Sequence, residues 1–555
     1  MHFANAQSKS LATEVAATAM ATLWKVPVGE DTAKPTKWTY DQSFGLLGIE
    51  RLWIQTANPV YFSYLQNSMN YFISENGDIK FHKVQDYNID NIFFGRILLT
   101  LYNVTGQVKY YKAVSLLRYQ LKSQSSKNEG IPYMGEPFYA AYAKQFHEPE
   151  AFDDIANRFI WMERHARDAK TGFYEMALVD VLENFPVTHP KRDTLVSILK
   201  RVVDAIKKIQ DPATGLWYDI LNPPKEKEHR IGFSASAMFV YANAKAVRLS
   251  FLPASYLAVS KKGYDGILKH FIHTNKEGYA NLKGTLSGDP NGVGVFIQAA
   301  NEMEWHSAPK PGKNKVFLLD DYYNAEKKKD IKGIEYAYHY KWPEMYNNGF
   351  SFFGNIITSN GLQTKTLSQA PTASNLKNAS IYMIVDADNL ADNPTPNYMN
   401  ERDAQEIYNW VKGGGVLVLF HNDKPNADFT AFNKLSDLFG IHFNEDTYNK
   451  VLGTNYVGGK IDVPTGHQIL KNVQTIYQKE VCSITAKAPA KSVLTKGDLV
   501  VFATAKIGKG TVFATGDPWL YNEYTDGRML PAMYQNAEAA NDLVKWLIAQ
   551  IPVKK

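Results

Sequence analysis

The sequence predicts two domains of different fold class: an all-α domain of paired helices, then an α/β domain with a mostly parallel sheet. Three observations predict this. Helical periodicity of apolar residues recurs from Ser8 to Glu304, and the segments are joined by short connections rich in Gly, Asn and Asp. Beyond Pro311, buried-type strand patterns alternate with helices. At 555 residues the chain is also too long for one ordinary core.

The first domain, residues 8–306, is predicted to contain helices and no strand. Short connections such as Glu75–Asp78 favour antiparallel helical hairpins. The turn Asp168–Tyr174 recurs as Asp211–Tyr218, which indicates a repeat. Six hairpins are the number that closes an (α/α)6 toroid. The twelve predicted helices lie at 8–24, 41–55, 60–73, 89–103, 108–122, 135–146, 149–168, 174–185, 191–210, 234–249, 254–273 and 292–304.

The second domain, residues 316–555, follows a linker at 307–315 that is rich in Pro, Gly and Lys. Helices are predicted at Glu401–Val411 and near Asn536–Ile548. Apolar strands that alternate with helices are typical of a mostly parallel sheet. The predicted strands are Val316–Leu319, Ile381–Val385, Val416–Phe420, Leu499–Thr504 and Thr511–Thr515.

Composition excludes several functional classes. Apolar residues make up 45% and charged residues 21% of the chain, as in globular proteins. The net charge of +5 is spread thinly, so no clustered basic surface for nucleic acid is expected. Cys482 is the single cysteine, which excludes an intrachain disulfide and a cysteine metal cluster. No apolar run reaches the length of a membrane span. We predict no cofactor and no metal.

The first residues indicate export. Residues 1–7 read as the remnant of a signal peptide, because Ala4-Asn5-Ala6 has the A-x-A pattern of a cleavage site. The expected location is therefore periplasmic or extracellular.

Asp90 is the most informative candidate for chemistry. It lies at the predicted start of the helix 89–103, after the potential capping residues Asp86 and Asn88. Unsatisfied backbone N–H groups and the helix dipole favour an ionised carboxylate there. A helix-start aspartate without further function is the alternative interpretation. The apolar stripe of this helix comprises Ile89, Ile92, Phe93, Ile97 and Leu101.

A series of motifs over residues 10–305 resembles glycoside hydrolase families 88 and 105, the unsaturated glucuronyl and rhamnogalacturonyl hydrolases. The motifs are KWTYDQSFGLLGIERLW (37–53), DYNIDNIFFGRILLTLY (86–102), YMGEPFYAAYA (133–143), EMALVDVLENFP (175–186), TGLWYDIL (214–221), SASAMFVYA (234–242) and NGVGVFIQAANEME (291–304). The resemblance implies an enzyme without a cofactor that removes 4,5-unsaturated uronic acid from the non-reducing end of lyase products. It implies that Asp90 is the first of two active-site aspartates, and that Tyr40, with Trp38 and Asp41 nearby, contacts substrate.

The chemistry that the resemblance implies is hydration of an enol ether, with a carboxylic acid that protonates C4 and water that adds at C5. A raised pKa suits such an acid. The sequence departs from the family at the second aspartate, because Asn128–Pro132 runs directly into Tyr133 without the expected WLDGLYM loop. Two further active-site loops are missing, after Tyr174 and after Gly288, and Gly232 replaces a usual glutamate. Very weak or no activity is expected for such a chain.

Other groups could replace the missing acid or serve a second site. Glu129 and Glu136 flank the shortened loop, although Glu136 is better explained by pairing near its helix. The second domain resembles the class I glutamine-amidotransferase-like fold, close to ThuA-like domains. Cys482 does not follow a predicted strand, so amidotransfer is not expected. Four residues do follow predicted strands, where parallel sheets bind ligands: Asp320, Asp386, His421 and Asp517.

Three functions follow from these observations. The first is an exported uronyl hydrolase that acts on unsaturated oligosaccharides. The second is a non-catalytic glycan-binding toroid that keeps the funnel without the acid. In the third, the α/β domain is the functional part and the toroid is its scaffold.

Overall fold

A computed structural model gives the fold of the chain and describes residues 10–24, 40–124, 134–165, 171–218, 231–274, 280–282 and 290–553. Two compact units make up the chain. The first comprises Met1–Thr56 and Val60–Ala308, and the second comprises Ala57–Pro59 and Pro309–Lys555. The predicted signal remnant at 1–7 lies outside the described residues. No helix among the described residues is long and apolar enough to cross a membrane.

The described part of the first unit is rich in helices, and every predicted helix overlaps an observed one. The α-helices are α1 (Leu11–Thr22), α2 (Tyr40–Thr56), α3 (Pro59–Phe72), α4 (Gly95–Thr105), α5 (Val108–Gln124), α6 (Glu136–Gln145), α7 (Ala151–His165), α8 (Thr171–Asn184), α9 (Arg192–Lys208), α10 (Phe233–Arg248), α11 (Leu257–Phe271) and α12 (Pro290–Ser307).

Two expectations for this unit are wrong in detail. A short antiparallel pair, β1 (Ile272–Thr274) and β2 (Ala280–Leu282), follows α11, where no strand was expected. Three-residue strands carry too little alternation to be recognised from sequence. The predicted helix 89–103 also begins differently, as a 3₁₀ turn at Ile89–Ile92 that precedes α4. Tighter 3₁₀ turns are common at the ends of α-helices.

The even-numbered helices α2 to α12 form the interior of the first unit. Each contacts the next of these helices, and α12 contacts α2, so the contacts run in a closed cycle. Their sequences are buried over long continuous stretches, such as 174–182, 236–246 and 292–303, rather than along one stripe. A helix that is apolar all round is expected to be surrounded by other elements.

A network of charged groups lies inside this cycle of helices. Asp180 of α8 accepts hydrogen bonds from Arg96 of α4 at 2.8 Å, Lys245 of α10 at 2.6 Å and the Tyr241 hydroxyl at 2.7 Å. Although burial by itself raises the pKa of Asp180, Arg96 and Lys245 hold it below its usual value.

Further ion pairs extend the network to two more of these helices. Arg248 of α10 forms a bidentate pair with Glu302 of α12, at 2.6 and 2.8 Å. Arg51 of α2 lies 3.8 Å from the same carboxylate. Paired charges of this kind therefore join α2, α4, α8, α10 and α12.

The second unit is built on a seven-stranded mixed sheet with the order β13-β14-β15-β8-β7-β3-β6. The four pairings from β15 to β6 are parallel, and the two that involve β14 are antiparallel. The sheet strands are β3 (Val316–Asp320), β6 (Gln363–Leu367), β7 (Ile381–Val385), β8 (Val416–Phe420), β13 (Ala490–Lys496), β14 (Leu499–Ile507) and β15 (Gly510–Thr515).

Short strand pairs lie outside this sheet. They are formed by β4 (Lys327–Lys329) with β5 (Glu335–Ala337), β9 (Ile441–Phe443) with β12 (Ile484–Ala486), and β10 (Lys460–Asp462) with β11 (Thr475–Tyr477).

Helices cover both faces of the sheet, which explains why its central strands are continuously apolar. Alternate residues of β8 enter two different cores, Val418 in one and Leu417 in the other. Leu543 belongs to the first core and Ile407 to the second. The helices of this unit are α13 (Ser351–Ser359), α14 (Ala373–Leu376), α15 (Glu401–Lys412), α16 (Asn433–Ser436), α17 (Asn522–Thr525) and α18 (Asn536–Gln550).

The buried network leads to a prediction about stability. Asp180→Asn removes the carboxylate that Arg96 and Lys245 share, although Lys245 keeps its pair with Glu183 at 2.7 Å. Removing one partner of a buried ion pair costs about 3–5 kcal/mol. We expect a loss of that size in the free energy of unfolding, measured by urea denaturation followed by helical circular dichroism.

Asp265→Asn is the matched control, because Asp265 forms an exposed pair with Lys261 at 2.8 Å on α11. Such a pair contributes about 0.5 kcal/mol or less. Equal effects of the two substitutions would contradict a stabilising role of the network.

Candidate active site

The starts of the six interior helices lie together at one end of the first unit. The Phe44 ring of α2 lies 4.8 Å from Phe93, just before α4, and 5.8 Å from Phe173 of α8. At Gly294 of α12, a Cβ atom would lie 2.5 Å from the backbone nitrogen of Gly45 in α2. Only glycine permits so close an approach.

Similar contacts complete this end of the unit. A Cβ atom on Gly95, the first residue of α4, would lie 2.5 Å from the Phe138 ring of α6. A Cβ atom on Gly172 of α8 would lie 2.9 Å from the Met238 sulfur of α10. The six helix starts therefore form one continuous packed layer, and side chains placed there belong to a single region.

Asp90 lies at this end, in the 3₁₀ turn before α4, and is half-buried. The side chain of Asn88 accepts a hydrogen bond from the Asp90 backbone N–H at 3.0 Å, so Asn88 caps this turn as expected. Asp86 does not cap it and is exposed in a separate turn. Gln120 of α5 donates to the Asn88 carbonyl at 2.9 Å, which holds the turn against its neighbour.

The predicted substrate residues lie next to or outside the described part of the chain. Tyr40 and Asp41 are the first two residues of α2, which places their backbone at the same end as Asp90. Their side chains and the whole of Trp38 lie outside what the structure describes.

Two of the three predicted departures from the family lie before interior helices, ahead of α6 and of α12, and the third, after Tyr174, falls inside α8. The chain before α6, α8 and α12, at 125–133, 166–170 and 283–289, is not described, and Glu129 lies in the first of these segments. Gly232, which replaces the family's usual glutamate, is the residue before α10 and is buried.

Glu136, the first residue of α6, is a buried carboxyl group held by an ion pair. Its Oε1 accepts a hydrogen bond from Arg158 of α7 at 3.1 Å. Burial raises the pKa of Glu136 to about 7, against the opposing effect of Arg158. The interpretation of Glu136 as a residue that pairs near its helix agrees with this contact.

Glu175 of α8 is a second buried carboxyl group, which sequence reasoning missed. It has no exposed surface, and neither of its carboxyl oxygens has a hydrogen-bond partner among the residues described. Burial therefore raises the pKa of Glu175 well above its usual value, which favours the protonated form of this carboxyl group. A charged residue at the start of the apolar run Met176–Val179 was the available signal.

The strand-end residues of the second unit have different surroundings. Asp320 accepts hydrogen bonds from the backbone of Tyr322 and Tyr323 and from the Tyr382 hydroxyl, and burial raises its pKa to about 7. Asp517 is buried too, and desolvation raises its pKa well above the usual value. Asp386 lies near His339 and Glu326, a grouping that the sequence did not predict.

Cys482 lies beside His421, although 61 residues separate them in the chain. The Cys482 sulfur is 3.9 Å from the His421 Nδ1 atom. Burial raises the pKa of the thiol well above its usual value and lowers the pKa of His421 to about 4. A neutral thiol beside a neutral imidazole is not an activated nucleophile. Amidotransfer is therefore still not expected. The reason is now that the thiol is not activated, rather than that Cys482 does not follow a predicted strand.

The fold of the first unit and its acidic residues indicate a class of protein. The first unit is a helix-rich domain whose buried helices begin at one end, and acidic side chains lie at or near those starts. The family model described as Glycosyl Hydrolase Family 88 matches residues 12–175 and 172–308. The chain belongs to glycosyl hydrolase family 88, and this membership supports a glycosidase function.

Similar solved structures come from the same and a related family. A family 105 glycoside hydrolase from C. acetobutylicum ATCC 824 is 29% identical, with a TM-score of 0.46 over 52% of this chain and 98% of that chain. A family 88 enzyme from Bacteroides vulgatus is 16% identical, with a TM-score of 0.42 over 53% and 98%. An unsaturated glucuronyl hydrolase specific for heparin is 12% identical, with a TM-score of 0.40 over 54% and 96%.

The buried acid Glu175 leads to a prediction about pH. In the folded protein its pKa is raised, whereas in the unfolded chain it is about 4.3. Its contribution to stability is thus complete below about pH 4 and is lost as the pH rises towards the folded value. Glu175→Gln keeps the shape and has no charge. We expect the stability of this variant relative to the wild type to increase between pH 4.5 and 8.

Urea denaturation at several pH values measures this difference, with a slope of at most about 1.4 kcal/mol per pH unit. The control is Glu75→Gln, since the Glu75 side chain is 89% exposed. A difference between Glu175→Gln and wild type that stays constant with pH would contradict the assignment of Glu175 as a buried acid with a raised pKa.

Proposed function

We propose that the first unit is an (α/α)6 toroid that hydrolyses oligosaccharides ending in a 4,5-unsaturated uronic acid. The single observation that carries this proposal is the family 88 match, which spans α1 to α12 almost without interruption. The layer of helix starts supplies the place for substrate, with Asp90 at its edge.

The proposed reaction is hydration of the enol ether. A carboxylic acid donates its proton to C4, and a water oxygen bonds to C5 while the proton of that water passes to a carboxylate. The resulting hemiketal opens and releases the next sugar. The group that gives the first proton must be protonated at the working pH, and an acid whose pKa is raised by burial meets that requirement.

Glu175 is the described carboxyl group that suits this role best. Burial raises its pKa and no charged group among the described residues opposes that rise, whereas Arg158 pairs with the carboxyl of Glu136. Phe173 lies two residues before Glu175. Its ring and the Phe93 ring both contact the Phe44 ring, which places the start of α8 beside the turn that contains Asp90. In this proposal Asp90 orients the sugar, and Glu175 donates the proton once the sugar or a water molecule reaches it.

The test is turnover of unsaturated disaccharides, followed by loss of the ultraviolet absorbance of the enol. We expect slow turnover by the wild type. Asp90→Asn and Glu175→Gln are each expected to lower kcat/KM by about 100-fold or more, as loss of a positioned acid or base does. Glu136→Gln should keep most of the activity.

The control measurement is binding of the same disaccharides by calorimetry. Loss of turnover with retained binding in Glu175→Gln would assign that residue to the chemical step. Normal turnover in Glu175→Gln would exclude it as the donor, and normal turnover in Asp90→Asn would contradict its assignment.

A non-catalytic glycan-binding toroid is the second candidate. The observation in its favour is the missing segment that carries the family's second aspartate, between Asn128 and Tyr133. Calorimetric binding without any loss of absorbance would establish this function instead. Export of the chain and an amidotransferase-like fold for the second unit remain parts of the proposal.

A further inference from the structure

We infer that the second unit contains a binding site for a divalent transition-metal ion, formed by Glu326, His339 and Asp386. One ligand atom from each residue lies within 4.8 Å of the others. The His339 Nδ1 atom is 2.6 Å from a Glu326 oxygen and 3.8 Å from Asp386 Oδ2. The 3.8 Å separation fits two ligands that each lie about 2.0–2.2 Å from a shared ion, whereas the 2.6 Å contact is a hydrogen bond that must lengthen when the ion enters.

The fold brings the three residues together from distant parts of the chain. Glu326 and His339 lie at the base of the β4–β5 hairpin, where the Tyr338 N–H donates to the Glu326 carbonyl at 3.0 Å. Asp386 follows β7 directly, so it lies at the carboxyl edge of the parallel part of the sheet, where α/β proteins bind ligands.

Asp386 supplies an independent sign of a missing ligand. Its side chain is only 5% exposed, and its Oδ1 atom is buried without a hydrogen-bond partner among the residues described. A buried acceptor left unsatisfied costs about 1–3 kcal/mol, so native proteins rarely keep one without a reason. Oδ2 is the oxygen that approaches His339, so a cation bound there would satisfy Oδ1 by contacting both oxygens of the carboxylate.

The residues around the three ligands hold them in place. The Asn324 side chain donates to the Asp386 carbonyl at 2.9 Å and accepts from Lys341 at 2.8 Å. The His339 ring stacks on the Tyr340 ring at 4.0 Å between centroids. Both His339 and Asp386 have positive φ angles, 68° and 47°, which non-glycine residues adopt at some cost in energy.

The ligand set indicates the class of ion. One imidazole and two carboxylates suit first-row transition metals, whereas Mg²⁺ and Ca²⁺ prefer oxygen ligands alone. On binding, the ion replaces the proton that His339 Nδ1 shares with Glu326, and that proton is released to solvent. Three protein ligands leave at least one position for water or a substrate oxygen. The His339 side chain is 24% exposed, which provides a path for the ion.

The experiment uses the full chain, freed of metal with a chelator and titrated with Zn²⁺ by calorimetry. We expect one Zn²⁺ per chain that is lost in His339→Gln and Asp386→Asn, with Kd raised at least about 100-fold. His442→Gln is the matched control, because His442 pairs with Asp437 at 2.9 Å in an exposed position. It should bind Zn²⁺ as the wild type does.

Equal Zn²⁺ binding by wild type and His339→Gln would overturn the proposal, and so would binding of Mg²⁺ or Ca²⁺ without Zn²⁺. Co²⁺ added to the wild type makes the test independent of how the variants fold. Visible absorption bands of protein-bound Co²⁺ would support the site, and their absence would overturn it. This inference does not depend on the glycosidase function of the first unit.

Discussion

The helical unit depends on keeping the carboxylate of Asp180 paired in an otherwise apolar interior. Burying charges is expensive, and their mutual attraction compensates only when the geometry is good. Arg96, Lys245 and the Tyr241 hydroxyl all reach Asp180 at 2.6–2.8 Å. An arrangement that separated α4, α8 and α10 would leave charges unpaired in the core. The network therefore favours one order of the helices and one rotation of each helix about its axis. Apolar packing alone would specify both only weakly.

The same interior explains why Glu175 and Asp180 behave in opposite ways on one helix. Both side chains are buried, so desolvation raises both pKa values in the first instance. Two cations compensate for this at Asp180, and among the described residues no charged group does so at Glu175. The pKa of Asp180 is thereby lowered and its ionised form serves packing, whereas the pKa of Glu175 is raised and its protonated form is favoured. Environment, rather than residue type, separates the two roles.

Most of the fold could be predicted from periodicity, because burial of an apolar face directly shapes the sequence. The helix limits agree within a few residues, and Ile381–Val385 and Val416–Phe420 were predicted with the observed ends. The β1–β2 pair and the 3₁₀ turn at Ile89–Ile92 were missed, since both are too short to establish a period. The two edge strands of the large sheet, β6 and β13, were also not predicted.

The chemistry was harder to predict than the fold. Asp90 was identified because its neighbours carry a recognisable motif. Glu175 lies inside another of those motifs, but its isolation from any partner is a property of three dimensions. The same holds for Glu326, His339 and Asp386, which come from a hairpin base and a strand end. No spacing rule connects residues whose proximity depends on sheet order.

The departures from the family pattern affect the chemistry more than the stability. Two of the predicted departures lie ahead of α6 and α12, the third lies in the first turns of α8, and the buried network lies further along the helices. Connecting loops carry few buried contacts, so their length can change without loss of the core. The helical framework of the first unit can therefore stay intact when such a loop changes in length. What then decides activity is whether the remaining layer of helix starts contains a protonated group within reach of the sugar. Burial raises the pKa of both Glu136 and Glu175 in that layer, but among the described residues a cation opposes the rise at Glu136 and none does so at Glu175.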